Sequence, residues 1–101
     1  MFIVQLKFAE NKGQAGQFME GHKAWLQQGF DEGVFLLAGS LQPNDQGGAG
    51  GGGIVAHNTS REDLEVRVKA DPFVVEKVVN AEIIEMTPSR ADERLSFLVE
   101  A

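Results

Sequence analysis

The sequence predicts one α+β domain with the order strand, helix, strand, strand, helix, strand. Three observations predict it. Residues 2–8 alternate with a period of two, two later stretches change to helical spacing, and three short apolar runs lie between clusters of Gly, Pro and Asn. A chain of 101 residues has room for one domain.

In the first strand Phe2, Val4, Leu6 and Phe8 share one face and Ile3, Gln5 and Lys7 the other, until Asn11, Lys12 and Gly13 interrupt the pattern. Over residues 14–32, Phe18, His22, Trp25, Leu26 and Gly29 recur on one helical face, with Glu20, Lys23, Gln27 and Gln28 mostly on the opposite one. Asp31, Glu32 and Gly33 end this helix, Gly33 suiting the left-handed conformation that closes many helices. Residues 34–41 are a nearly continuous apolar run, expected to be a strand buried on both faces. Residues 43–53 are expected to be a glycine-rich loop. Residues 54–56 then resume as a third strand, paired with the second in an antiparallel hairpin.

Ser60, three residues before Asp63, resembles a capping box with the shorter acid. It opens a second helix, on which Leu64 and Val68 make a narrow apolar stripe. This helix is expected to stop at Ala70, because Asp71 precedes Pro72 and a residue before proline avoids helical angles. Pro72 then opens a further short turn, and residues 78–86 are the last strand, closed by Pro88. The order is the ferredoxin-like βαββαβ arrangement, a four-stranded antiparallel sheet with two helices on one face. Its second face would lie open. Ile3 and the outer side of residues 34–41 are too apolar to stay wet, and a chain this short buries only about 60–70% of its unfolded surface, so a homodimer is expected. Residues 1–88 make up the domain. Residues 89–101 are a tail whose Leu95, Phe97, Leu98 and Val99 suit docking at the dimer contact.

Composition narrows the function. Nine Lys and Arg are scattered among fifteen Asp and Glu, for a net charge of −6, whereas a phosphate-binding surface needs clustered bases. Nucleic acid and anionic membranes are therefore not expected partners. The chain has no cysteine, which excludes disulfides, thiolate metal sites and cysteine nucleophiles. Residues 1–10 alternate like a strand rather than forming a basic leader with a long apolar run, so a cytoplasmic protein is expected. The glycines at 47, 48 and 50–53 lead into a strand rather than a helix and lack the lysine of a P-loop. A flap over a cleft, or a segment without fixed structure, suits them better than a phosphate cradle.

The candidate chemistry rests on two residues. His22 lies on the apolar face of the first helix, where a buried imidazole needs a polar partner. A backbone carbonyl would make it a structural histidine. A carboxylate would fix its tautomer and make the other nitrogen a better base. Asp71 likewise either caps the turn opened by Pro72 or orients the imidazole. The second histidine, His57, stands at a strand end beside polar residues and is expected to be exposed. No set of three or four converging metal ligands is apparent, so neither a metal nor another cofactor is expected.

The ordered set of His22 on the first helix, Gly33, the apolar strand to Gly39 and Ser40, Gly53-Ile54-Val55, and Asp71-Pro72-Phe73 resembles the YCII-related domain family over residues 1–88. The resemblance implies a dimeric α+β barrel with a histidine–aspartate pair in a cleft. By motif match these fall on His22 and Asp71, and by position Trp25, Ser40 and Phe73 would line the cleft. It also implies small-molecule chemistry, such as HCl elimination from chlorinated hydroquinone-like compounds. Relatives often carry a basic residue in the loop before the third strand. Here Gln42-Pro43-Asn44-Asp45-Gln46 holds no arginine. The expected function is a metal-free lyase or isomerase acting on a small molecule through general acid/base transfer by His22 and Asp71. The alternative is a non-catalytic small-molecule-binding or accessory domain in which His22 is structural.

Overall fold

A computed structural model describes residues 1–43 and 50–100. The elements are β1 (Phe2–Phe8), α1 (Ala15–Asp31), β2 (Phe35–Leu41), β3 (Gly51–Ala56), α2 (Arg61–Lys69), α3 (Pro72–Val75), β4 (Val79–Glu85) and α4 (Phe97–Glu100). Two 3-10 turns, Lys12–Gln14 and Glu93–Leu95, precede α1 and α4. The four strands form one antiparallel sheet in the order β2-β3-β1-β4, which is the ferredoxin-like topology.

The alternation in β1 sets the layers. Phe2, Val4 and Leu6 are buried on the helix-covered face, together with Ile54 and Ala56 of β3. Trp25, Leu64, Val68 and Phe73 meet them from the helices. Local chemistry ends each helix where it should. Gly33 has φ +75° and its N–H donates to Phe30 O, closing α1. The Ser60 hydroxyl accepts from the Asp63 N–H and caps α2.

Two expectations need correction. Residues 34–41 are not buried on both faces. Within one chain Leu37 lies on the sheet face opposite the core, shared with Val55 and Ile3, and is 64% exposed there. The glycine segment is also shorter than expected, because β3 begins at Gly51 rather than at Ile54. Glycine carries no side-chain signal for a strand, yet Gly51, Gly52 and Gly53 pair with Lys7, Leu6 and Gln5 on one side and with Leu41, Ser40 and Gly39 on the other. At Gly51 only glycine fits: φ is +131° and a Cβ would stand 2.0 Å from Leu6 O. Residues 44–49, where a flap was considered, lie outside the described residues.

The second sheet face carries an apolar row across all four strands. Leu37 pairs with Val55, Val55 with Ile3 and Ile3 with Ile84, so the four side chains share that face. In the tail, Phe97 meets the half-buried His57 ring edge-on at 5.6 Å, while Leu95, Phe97 and Val99 stay largely exposed. No described helix is long and apolar enough to cross a membrane.

Candidate active site

His22 sits midway along α1, and the residue before it explains how it reaches its partner. A Cβ on Gly21 would lie 3.1 Å from Pro72 Cγ, so the bare glycine lets α1 approach the first residue of α3. There His22 Nδ1 stands 2.8 Å from Asp71 Oδ1. Asp71 has φ −61° and ψ 124°, the extended shape that Pro72 imposes on it, and this aims its side chain back over α3. The same Oδ1 accepts the Phe73 N–H at 3.0 Å. The two readings of Asp71 left open by the sequence are therefore one geometry, because a single oxygen caps the helix and holds the imidazole.

Burial makes this contact strong. The Asp71 side chain is 0% exposed and that of His22 12%. A carboxylate removed from water needs donors, and Nδ1–H and the Phe73 N–H supply two. Its second oxygen, Oδ2, is buried with no hydrogen-bond partner among the described residues. An ionised Asp71 carboxylate can only accept, and in that state the proton of the His22–Asp71 contact belongs to Nδ1. In the neutral ring the lone pair then resides on Nε2, which makes no hydrogen bond among the described residues. Stacking fixes the ring plane: Phe73 lies parallel to it at 4.1 Å and 4°, and Trp25 stacks at 5.8 Å and 27°.

His22 and Phe73 form one wall of a cleft of about 280 Å³ between α1 and the end of the sheet. Met19, Lys23 and Leu26 of α1 continue that wall, and Leu6, Ser40 and Gly52 of the sheet face them. Phe73 and Ser40 are both among the lining residues. Trp25 does not line it. Its indole is 8% exposed in the core, its Nε1–H donates to Arg67 O at 2.9 Å, and its ring meets Phe35 edge-on. It buttresses His22 from behind and borders a separate surface hollow with Glu32 and Arg67. There the Arg67 guanidinium bonds the Glu32 carboxyl and holds its pKa below the usual range, with Gln28 adding a second bond.

Met19 and Lys23 were not anticipated, although positions 19, 22, 23 and 26 follow the i, i+3, i+4, i+7 spacing of one helix face. The charge on Lys23 pointed to the solvent side, and its position on the rim reconciles the two signals. Among the described residues Lys23 is the only Lys, Arg, Asp or Glu lining the cleft. No three His, Cys, Asp or Glu side chains converge among the described residues.

No protein-family model matches the chain, and no curated protein matches it. Among solved structures, 5-chloro-2-hydroxyhydroquinone dehydrochlorinase (TftG) from Burkholderia phenoliruptrix AC1100, in complex with 2,5-dihydroxybenzoquinone, is similar with a TM-score of 0.63. The match covers 85% of this chain and 93% of that one at 13% identity, a likeness of fold.

Proposed function

We propose that the protein is a small-molecule enzyme of the lyase or isomerase type in which His22 transfers the proton and Asp71 orients it. The observation that carries this reading is the 2.8 Å contact of a buried carboxylate with Nδ1 of His22, which itself lines an apolar cleft. In an elimination, Nε2 takes a proton from a carbon near a leaving group. The C–H electron pair forms the new double bond, and the leaving group departs with its own bonding pair. The imidazolium, stabilised by the Asp71 carboxylate, then loses the proton to solvent. In an isomerisation it returns the proton to a different carbon. The structural neighbour is named as a dehydrochlorinase and was solved with a quinone, which favours elimination from a small ring as the first chemistry to assay.

A general base of this kind contributes roughly 10²–10⁴ in rate. His22→Ala should lower halide release from 5-chloro-2-hydroxyhydroquinone by that factor while circular dichroism stays native. Undiminished turnover in that variant would refute the assignment. The alternative, a binding domain with a structural histidine, draws on the double use of Asp71 Oδ1. It expects His22→Ala to change no turnover, so turnover separates the two readings, whereas either one loses the stability of the Asp71 contact.

Two copies packed through the open sheet face would cover the Leu37–Val55–Ile3–Ile84 row and give the tail an apolar partner. Sedimentation velocity tests this dimer: Leu37→Glu should shift the protein to monomer, and a wild-type monomer at high concentration would rule the dimer out.

A further inference from the structure

We infer that the cleft selects a small, mostly apolar mono-anion and that Lys23 supplies the charge that recognises it. The inference rests on reading the cleft as a substrate site and adds the class of molecule that it takes. The chain carries a net charge of −6, so its surface as a whole repels anions. Within the described lining of the cleft Lys23 is the one formal charge, with the Asp71 carboxylate set behind His22 and engaged by its ring. Lys23 forms no ion pair among the described residues.

The rest of the lining limits what accompanies that charge. Leu6, Phe8, Leu26, Ile54 and Phe73 present carbon, and the polar side chains are the His22 imidazole and the Ser40 hydroxyl. One ammonium at the exposed rim pairs with one anionic oxygen, and the carbon lining deeper in the cleft offers a second negative charge no partner. A volume of about 280 Å³ suits a single ring or a short chain. Lys23 also adjoins His22 along α1 and lines the same cleft. A molecule anchored by its anionic oxygen at Lys23 therefore presents its body to the imidazole. The ammonium also stabilises the negative charge that develops as a proton leaves.

Benzoate and benzamide, similar in shape and different in charge, test this by titration into ¹⁵N-labelled protein, read at the Gly51, Gly52 and Gly53 amides. Wild type should bind benzoate about tenfold more tightly than benzamide at low salt, the scale of one charge-assisted hydrogen bond. Added salt should shrink that preference. Lys23→Met should bring the ratio near one, Lys23→Arg should keep it, and His22→Gln should keep it too. Equal binding of the two probes by wild type, a ratio unchanged in Lys23→Met, or benzoate perturbations outside the cleft would each overturn charge selection. Those results leave the His22 assignment to stand or fall on turnover, while undiminished turnover in His22→Ala leaves the benzoate preference readable.

Discussion

The two ends of the helix-covered sheet face are built from the same kinds of residue and end up opposite in character. At the end where β2 begins, Phe35 fills the space beneath α1 so fully that a Cβ on Gly29 would stand 2.2 Å from its ring. Trp25 packs against that ring edge-on, and Arg67 lies over it with its guanidinium carbon 5.9 Å from the ring centre. At the other end the sheet offers Ser40 and Gly52, and α1 stands back from them to leave the cleft. Gly52 there has only ordinary contacts near its absent Cβ, 3.7 Å to Leu6 Cδ1 and 3.7 Å to Gly39 O. Glycine at 29 lets two elements touch, whereas glycine at 52 keeps them from filling a space. One residue type thus makes a solid core at one end and an open hollow at the other.

The largest effect is expected at Asp71, the buried carboxylate that holds His22 and caps α3. Asp71→Ala removes a cap worth about 0.5–2 kcal/mol and leaves a buried Nδ1–H unpaired at about 1–3 kcal/mol. The loss expected in urea unfolding is about 2–4 kcal/mol, the sum of mid-range values for those two effects. Asp71→Asn keeps an acceptor at Oδ1, so it should fold nearly as well as wild type while turnover falls on the order of 10²-fold or more. Equal destabilisation by both substitutions would show that charge, not capping, holds α3.

Next come the two glycines. Gly29→Ala should cost about 1–3 kcal/mol through overpacking against Phe35, even though alanine favours the helix by about 1 kcal/mol. Adding Phe35→Leu should return part of the loss in a double-mutant cycle. Gly52→Leu, by contrast, should change stability by less than about 1 kcal/mol and abolish benzoate binding, because its side chain enters open space. If Gly52→Leu unfolds the protein and Gly29→Ala does not, the assignment of packed and hollow ends is reversed.

The smallest effect belongs to the surface of the packed end. The Arg67 hydrogen bond, followed by that of Gln28, lowers the Glu32 pKa in the folded state. A lowered folded pKa contributes stability that is present above the ordinary carboxylate range and lost as pH falls through it. Glu32→Gln should therefore be slightly less stable than wild type at neutral pH, and the gap should close in acid. Screening at this exposed site keeps the effect small.

Much of this plan was legible in the residues. Alternation along Phe2, Val4, Leu6 and Phe8 identified the buried face, and Ser60, Gly33 and Pro72 marked helix boundaries that the fold respects. His22 and Asp71, 49 residues apart, were separately readable as groups needing polar company, and the fold makes them partners. What escaped reading depended on neighbours in space. The start of β3 was hidden because Gly51, Gly52 and Gly53 owe their extended form to the strands on either side. The outer side of β2 looked buried because an apolar run does not reveal which sheet face a single chain leaves open. Trp25 was placed at the cleft by the family resemblance, while spacing gave only a helix face shared with His22, and the packed core shows which of the two turns outward.

The shared oxygen of Asp71 also gives the molecule a natural gauge. Phe73's amide proton and the imidazole of His22 bind one atom. A molecule that engaged His22 would alter the electron density on that atom, a change expected to appear in the chemical shift of the amide and in its exchange with deuterium. Occupancy of the hollow can thus be followed at a backbone position, in a protein with no added dye and before any reaction product has been identified.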